Sequence, residues 1–145
     1  DLVESGRAKD FNQAIRQYLL KGKPGYVKGE WASLESVIKW IRAANGIAVL
    51  AHPARYNLTA TKLKALLTEF IEHGGEALEV LSGSHTPGDV QTMTGHALRF
   101  NLLASAGSDY HGPENPWVRL GRLPEMPSAC TPIWDSKVWQ QRMAA

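Results

Sequence analysis

One cysteine, Cys130, in 145 residues excludes an internal disulfide and any cysteine-built zinc site, and it fits a reducing compartment, so the cytoplasm is the expected location. Long apolar runs are lacking too. No stretch approaches the roughly 20 residues that cross a bilayer, and the first residues show no basic segment followed by an apolar one, so no membrane partner is expected. Charge of one sign is scarce in excess: 16 basic and 14 acidic residues leave +2, too little and too scattered to hold nucleic acid by charge alone. DNA is accordingly not an expected partner. No Gly-x-Ser-x-Gly elbow is present and Cys130 lies in a proline-flanked tail far from the histidines, which disfavours a covalent nucleophile. Lys21-Gly22-Lys23 lacks the glycines and the hydroxyl of a nucleotide-binding P-loop. Neither a His-x-His pair nor a Cys/His cluster occurs upstream of residue 52.

What is there reads as an ordinary globular α/β chain, 43% hydrophobic and 21% charged, without internal repeats. Phe11, Ala14, Ile15, Tyr18 and Leu19 recur at helical spacing behind Asp10, with Gln13 placed for a capping box. Gly22-Lys23-Pro24-Gly25 ends that helix. Ser33 caps a second, with apolar face Leu34, Val37, Ile38 and Ile41, and Asn45-Gly46 stops it. The period then changes. Ile47–Ala51, Ala77–Leu81 and Leu102–Ala106 are short apolar runs of the kind buried on both faces of a parallel sheet. Between them lie a helix with Leu63, Leu66, Leu67, Phe70 and Ile71 on one face, stopped by Gly74-Gly75, and a second opened by Thr86-Pro87 with Asp89 and closed at Asn101. A proline-rich tail with Trp117, Trp134 and Trp139 follows. Such alternation predicts parallel strands and right-handed crossovers. Three strands leave two edges in need of partners, and a start at Asp1 without methionine, in mid-amphipathic pattern, points to an amino-terminal truncation.

Parallel strands bring their carboxyl ends to one rim, where side chains distant in sequence converge. Ala51-His52-Pro53 and Ser108-Asp109-Tyr110-His111 close the first and third runs. His52, Asp109 and His111 are therefore candidate metal ligands, a carboxylate and two imidazoles being a donor set suited to Zn, Mn or Fe. The competing readings are a satisfied core histidine at 52 and loop capping by Asp109. Arg55 overhangs the same rim and could bind a phosphoryl group bidentately, or serve as a surface arginine. Glu79 lies inside an apolar strand, where a carboxylate must be paired, metal-bound or protonated, and a structural or supporting role is expected. His85, in the loop after the middle strand, is a candidate substrate contact. His73 and His96 fall on helix faces and are expected to be solvated.

Four segments together carry a resemblance: Ala51-His52-Pro53-Ala54-Arg55-Tyr56, Gly74-Gly75 through Glu79-Val80, Ser105-Ala106-Gly107-Ser108-Asp109-Tyr110-His111, and Leu120-Gly121-Arg122-Leu123-Pro124. Over nearly all 145 residues the chain resembles the carboxyl-terminal half of PHP-domain (polymerase and histidinol phosphatase) phosphoesterases, in particular a branch acting on 5'-phosphorylated RNA and 3',5'-bisphosphonucleotides. The resemblance implies half of a distorted (β/α)7 barrel, preceded over residues 1–24 by the end of a helical insertion, with residues 25–145 forming the phosphoesterase half. It implies a trinuclear site, usually manganese, in which His52, Asp109 and His111 are ligands and Arg55 binds phosphate. The family's opening His-x-His, early Asp and following His and Glu ligands fall outside this chain, so the fragment alone is expected to be inactive. Alternatives are a noncatalytic PHP module with a structural or interaction role, a histidinol-phosphatase-like enzyme and, more weakly, a cyclic amidohydrolase.

Overall fold

The computed structural model describes residues 1–113 and 118–144. The chain divides into two compact units, Asp1–Ala32 and Ser33–Ala145. In the first, helix α1 spans Phe11–Ala14 and widens at once into a π-helical turn over Ile15–Leu19, where the Leu20 N–H reaches back to the Ile15 carbonyl. Asp10 caps it by accepting from the Gln13 N–H at 2.7 Å, while the Gln13 side chain takes the Lys9 N–H rather than that of Asp10. The reciprocal cap expected from Asp10 and Gln13 is thus displaced by one residue. Of the expected apolar face only Ala14 is buried, and Phe11 is 72% exposed.

The second unit is a three-stranded parallel sheet in the order β1-β2-β3, with β1 at Val49–Leu50, β2 at Ala77–Ser82 and β3 at Leu103–Gly107. Helices α2 (Leu34–Ala43), α3 (Ala60–Glu72) and α4 (Pro87–Arg99) alternate with the strands. Each begins on a hydroxyl cap: Ser33, Thr59 and Thr86 accept from the N–H three residues on. At Thr86 the cap is reciprocal, since the Asp89 carboxylate accepts the Thr86 N–H at 2.8 Å, and Pro87 occupies the first turn, where its missing N–H costs nothing. Asn45 and Asn101, with φ of 58° and 51°, take the left-handed conformation that stops α2 and α4.

Ile38, Leu63, Leu67, Phe70, Met93 and Ala97 of the helices meet Leu50, Leu78, Val80 and Ala104 of the sheet in one apolar cluster. Removing a leucine such as Leu67 or Leu78 completely from water contributes about 1.5–3 kcal/mol. Every residue of β2 is buried, as its apolar run, interrupted only by Glu79, predicts for a central strand covered on both faces. Beside β3, Ala104 bridges Pro132 in parallel and donates its N–H to the Thr131 carbonyl at 2.9 Å, so the tail partly covers that edge. The tail is also more regular than its prolines suggest. A 3-10 turn at Ile133–Asp135 leads into helix α5 (Lys137–Met143), capped by Ser136. Arg142 of α5 donates to the Gly46 carbonyl at 2.5 Å and to Glu76 Oε1 at 2.8 Å, which locks the tail to the entry of β2. Trp117 lies outside the described residues.

Candidate phosphoester site at the carboxyl rim of the sheet

Because the three strands are parallel, His52 and Asp109 leave the same edge of the sheet, from its two outer strands. Both leave by a left-handed turn. His52 has φ 31° and Asp109 φ 54°, a conformation that costs a non-glycine residue about 1–3 kcal/mol and persists only when the surroundings enforce it. At Asp109 the local bonds are the Ser108 hydroxyl accepting the Tyr110 N–H at 3.3 Å and the His111 Nδ1 lying 2.7 Å from the Asp109 carbonyl. At His52 the enforcement comes from across the sheet: its N–H donates to Glu79 Oε2 at 2.5 Å.

The Arg55 guanidinium pairs with Asp109 Oδ2, joining residues 54 positions apart. Arg55 is half exposed whereas Asp109 is 16% exposed, so the carboxylate is anchored at the rim and the guanidinium reaches out from it. His111 Nδ1 lies 3.6 Å from Asp109 Oδ1. Arg55, Asp109 and His111 therefore form one contiguous group. His52 stands at the end of β1, on the far side of β2 from Asp109, with its Nδ1 buried and unpartnered and its ring edge-on to Tyr56 at a centroid distance of 5.9 Å. Among the described residues no hydrogen bond or ion pair joins His52 or His85 to Asp109. His85 turns back onto β2, its Nδ1 3.0 Å from the Val80 carbonyl, and its Nε2 is buried without a partner.

Glu79, 8% exposed, is the centre of this rim. One carboxylate oxygen holds His52, and the other packs so close to β3 that a Cβ on Gly107 would come within 2.6 Å of it. Tyr56, which lies against the apolar cluster, has its hydroxyl pushed above the usual phenol range, first by burial and then by the Glu79 charge. The strand glutamate was visible in the sequence. Tyr56 was not singled out as part of the site, and its only signal was membership of the motif around His52.

The donor chemistry suits a divalent cation of the Mn or Zn kind: a rim carboxylate, its neighbouring imidazole, and a second imidazole with a buried, unpartnered nitrogen. Among the described residues, however, no three His, Cys, Asp or Glu side chains are gathered closely enough to hold an ion. These residues fit such a group as part of a ligand set. No helix among the described residues is long and apolar enough to cross a membrane.

No protein-family model matches the chain. It is 45% identical over 133 residues to a 3',5'-nucleoside bisphosphate phosphatase of Chromobacterium violaceum, spanning 92% of this chain and 47% of that protein. It is 41% identical over 140 residues to the 5'-3' exoribonuclease Rnm of Escherichia coli, spanning 97% of this chain and 47% of that one. The chain thus spans about half the length of the curated relatives it matches. Among solved structures, it is similar to an amidohydrolase from C. violaceum with bound sulfate and no metal, at 43% identity and TM-score 0.79 over 99% of this chain and 48% of that one. It is also similar to a protein assigned as a metal-dependent phosphoesterase in Bifidobacterium adolescentis, at 27% identity and TM-score 0.65 over 88% and 45% of the respective chains.

Proposed function

Since this chain is a homologue of the bacterial bisphosphate phosphatases and 5'-3' exoribonucleases, matching them along nearly its whole length, we propose that it forms the carboxyl-terminal half of a metal-dependent PHP phosphoesterase. The substrates are 5'-phosphorylated RNA, cleaved from its 5' end, and 3',5'-bisphosphonucleotides, and the enzyme works in the cytoplasm. The observation that carries this reading is the contiguous Arg55–Asp109–His111 group beside His52 on one sheet rim, which unites a phosphate-binding cation with metal-ligand chemistry. His52, Asp109 and His111 hold divalent cations, manganese in the first instance, with the remaining ligands of a trinuclear cluster supplied from outside this chain. When bound, such cations lower the pKa of water and stabilise charge on phosphoryl oxygens. The parallel sheet is part of a distorted (β/α)7 barrel, and residues 1–24 are the end of a helical insertion.

The chain's own residues divide the remaining work. Arg55 binds the substrate phosphoryl group through its planar fork, which matches two phosphoryl oxygens at once. Asp109 fixes that fork at the rim through their ion pair. His85, in the loop after β2, contacts the substrate once its ring leaves the Val80 carbonyl, since its Nε2 is buried in this conformation. Water is the nucleophile in this reading, attacking phosphorus as the P–O bond to the leaving alcohol breaks.

The test is turnover by the complete protein, with manganese, on a 5'-phosphorylated oligoribonucleotide and on adenosine 3',5'-bisphosphate. Asp109→Asn is expected to abolish turnover and metal retention. Arg55→Ala is expected to act mainly on KM, raising it about 10- to 100-fold for the loss of one charge-assisted contact. Full activity in Asp109→Asn refutes the assignment. A complete protein inactive on both substrates, with metal bound, supports the noncatalytic module instead.

A further inference from the structure

A carboxylate buried in the middle of a strand has to be stabilised where it sits, and the partners of Glu79 belong to both flanking strands. Its Oε2 accepts the N–H of His52, 27 residues earlier, at 2.5 Å. Its Oε1 fills the space that a side chain at position 107 would need. Glu79 and Ser105 share a rung of the parallel ladder, and Ser82 and Gly107 share another, so the carboxylate spans the rim end of β3 as well as the exit of β1. The N–H it accepts is the one at the head of the left-handed turn in which His52 sits at φ 31°. That turn has no side-chain cap of its own, and Pro53, which follows, contributes no N–H to it.

We infer that Glu79 is a positioning residue: its carboxylate holds the backbone of His52 in the left-handed turn, and thereby aims the imidazole from β1 toward the rim occupied by Asp109. This rests on the proposed function for its consequence, the placing of a ligand, but the hydrogen bond and the turn stand without it. Two further contacts complete the clamp on the histidine. Tyr56 meets the ring edge-on, and burial leaves the ring Nδ1 no water to turn toward. Glycine at 107 leaves room for this carboxylate, since a Cβ there would come within 2.6 Å of Glu79 Oε1 and displace it.

The experiment is heteronuclear NMR on the complete protein, reading the His52 amide proton and imidazole resonances in Glu79→Ala, Glu79→Gln and Gly107→Ala, with manganese titrated as a paramagnetic probe. In the parent chain the His52 amide is expected far downfield, as a short charge-assisted bond demands. Glu79→Ala is expected to move it upfield, shift the imidazole signals, and weaken manganese broadening at His52 about 10- to 100-fold, the usual cost of losing a residue that orients a ligand. Glu79→Gln, whose amide oxygen accepts the same bond, is expected to restore most of the imidazole pattern. Gly107→Ala reproduces the Glu79→Ala signature from the opposite strand, which separates positioning from a simple loss of folding in β2. An unmoved His52 amide and imidazole in Glu79→Ala overturns the inference. Absence of manganese broadening in the parent chain and its variants, with the amide and imidazole changes present, leaves the positioning role in place and counts against the metal reading alone.

Discussion

Replacing Arg142 should loosen the carboxyl-terminal helix from the sheet. The guanidinium, 21% exposed, donates to the Gly46 carbonyl and to Glu76 Oε1, and so joins α5 to the end of α2 and the entry of β2. Glu76 is 22% exposed, and its Oε2 already has no partner among the described residues. An exposed ion pair is worth about 0–1 kcal/mol, and breaking a buried one costs about 3–5 kcal/mol. This pair lies between those limits, and the bond to a backbone carbonyl adds to it, so Arg142→Met should cost about 2–3 kcal/mol. Methionine keeps the apolar stem and removes only the charge and the fork. For a chain of this size the loss corresponds to a fall in Tm of about 5–10 °C. Thermal and urea unfolding of Arg142→Met, Glu76→Gln and the double variant at pH 7 would measure it, and the two single effects should fail to add by at least about 1 kcal/mol. A fall in Tm below about 2 °C, or simple additivity, would show that the contact does not fasten α5 and would refute the reasoning.

Two other expectations concern stability and pH. Thr86→Ala removes one half of the reciprocal cap of α4 and should cost about 1 kcal/mol at neutral pH. The Asp89 carboxyl is held below its ordinary range, chiefly by its bonds with Thr86, so the stability it contributes is present above the unfolded-state pKa and lost as the pH falls through the lower folded-state value. The stability gap between Thr86→Ala and the parent should therefore narrow in acid to what the Asp89 N–H bond to the Thr86 hydroxyl contributes, and a constant gap down to pH 2 would contradict the assignment. The pKa of His96 is lowered too, by burial and then by Arg99, so the unfolded chain binds more protons and stability should decline as the pH drops below about 6.5. His96→Gln should flatten that decline in urea midpoints between pH 7 and 5, and an unchanged slope would count against it.

The strands and helices of the second unit were legible because each carried its own punctuation. Ser33 and Thr86 cap, Asn45 and Asn101 stop, and the apolar runs place β1, β2 and β3 within two residues of where they lie. Helix α5 was not legible. Its seven residues are too few for a periodic signal, and part of what anchors it is the Arg142 contact to Glu76, 66 positions away. The π-turn at Ile15–Leu19 escaped for a different reason: apolar residues three and four apart look the same whether the backbone closes at i+4 or i+5. At the rim, residue types were readable but pairings were not. The reading placed Arg55 and Asp109 on one edge without indicating that they would neutralise each other, since an ion pair across 54 residues is set by geometry rather than by any local pattern.

The ladder between β2 and β3 slips by one residue between Glu79 and Leu81, so that Leu81 shares its rung with Ala106 and Ser82 with Gly107. Partners on a rung of parallel strands face the same way, whereas strict alternation would send an even-numbered side chain away from an odd-numbered one. The slip reverses parity for the last stretch of the strand and carries the Ser82 hydroxyl, buried and unpaired, round to the flank that Glu79 occupies. One inserted residue thus gives a single strand two address systems. A mutational scheme that counts by twos from Ala77 follows the Glu79 flank only as far as Glu79 and picks Leu81 where that flank continues at Ser82.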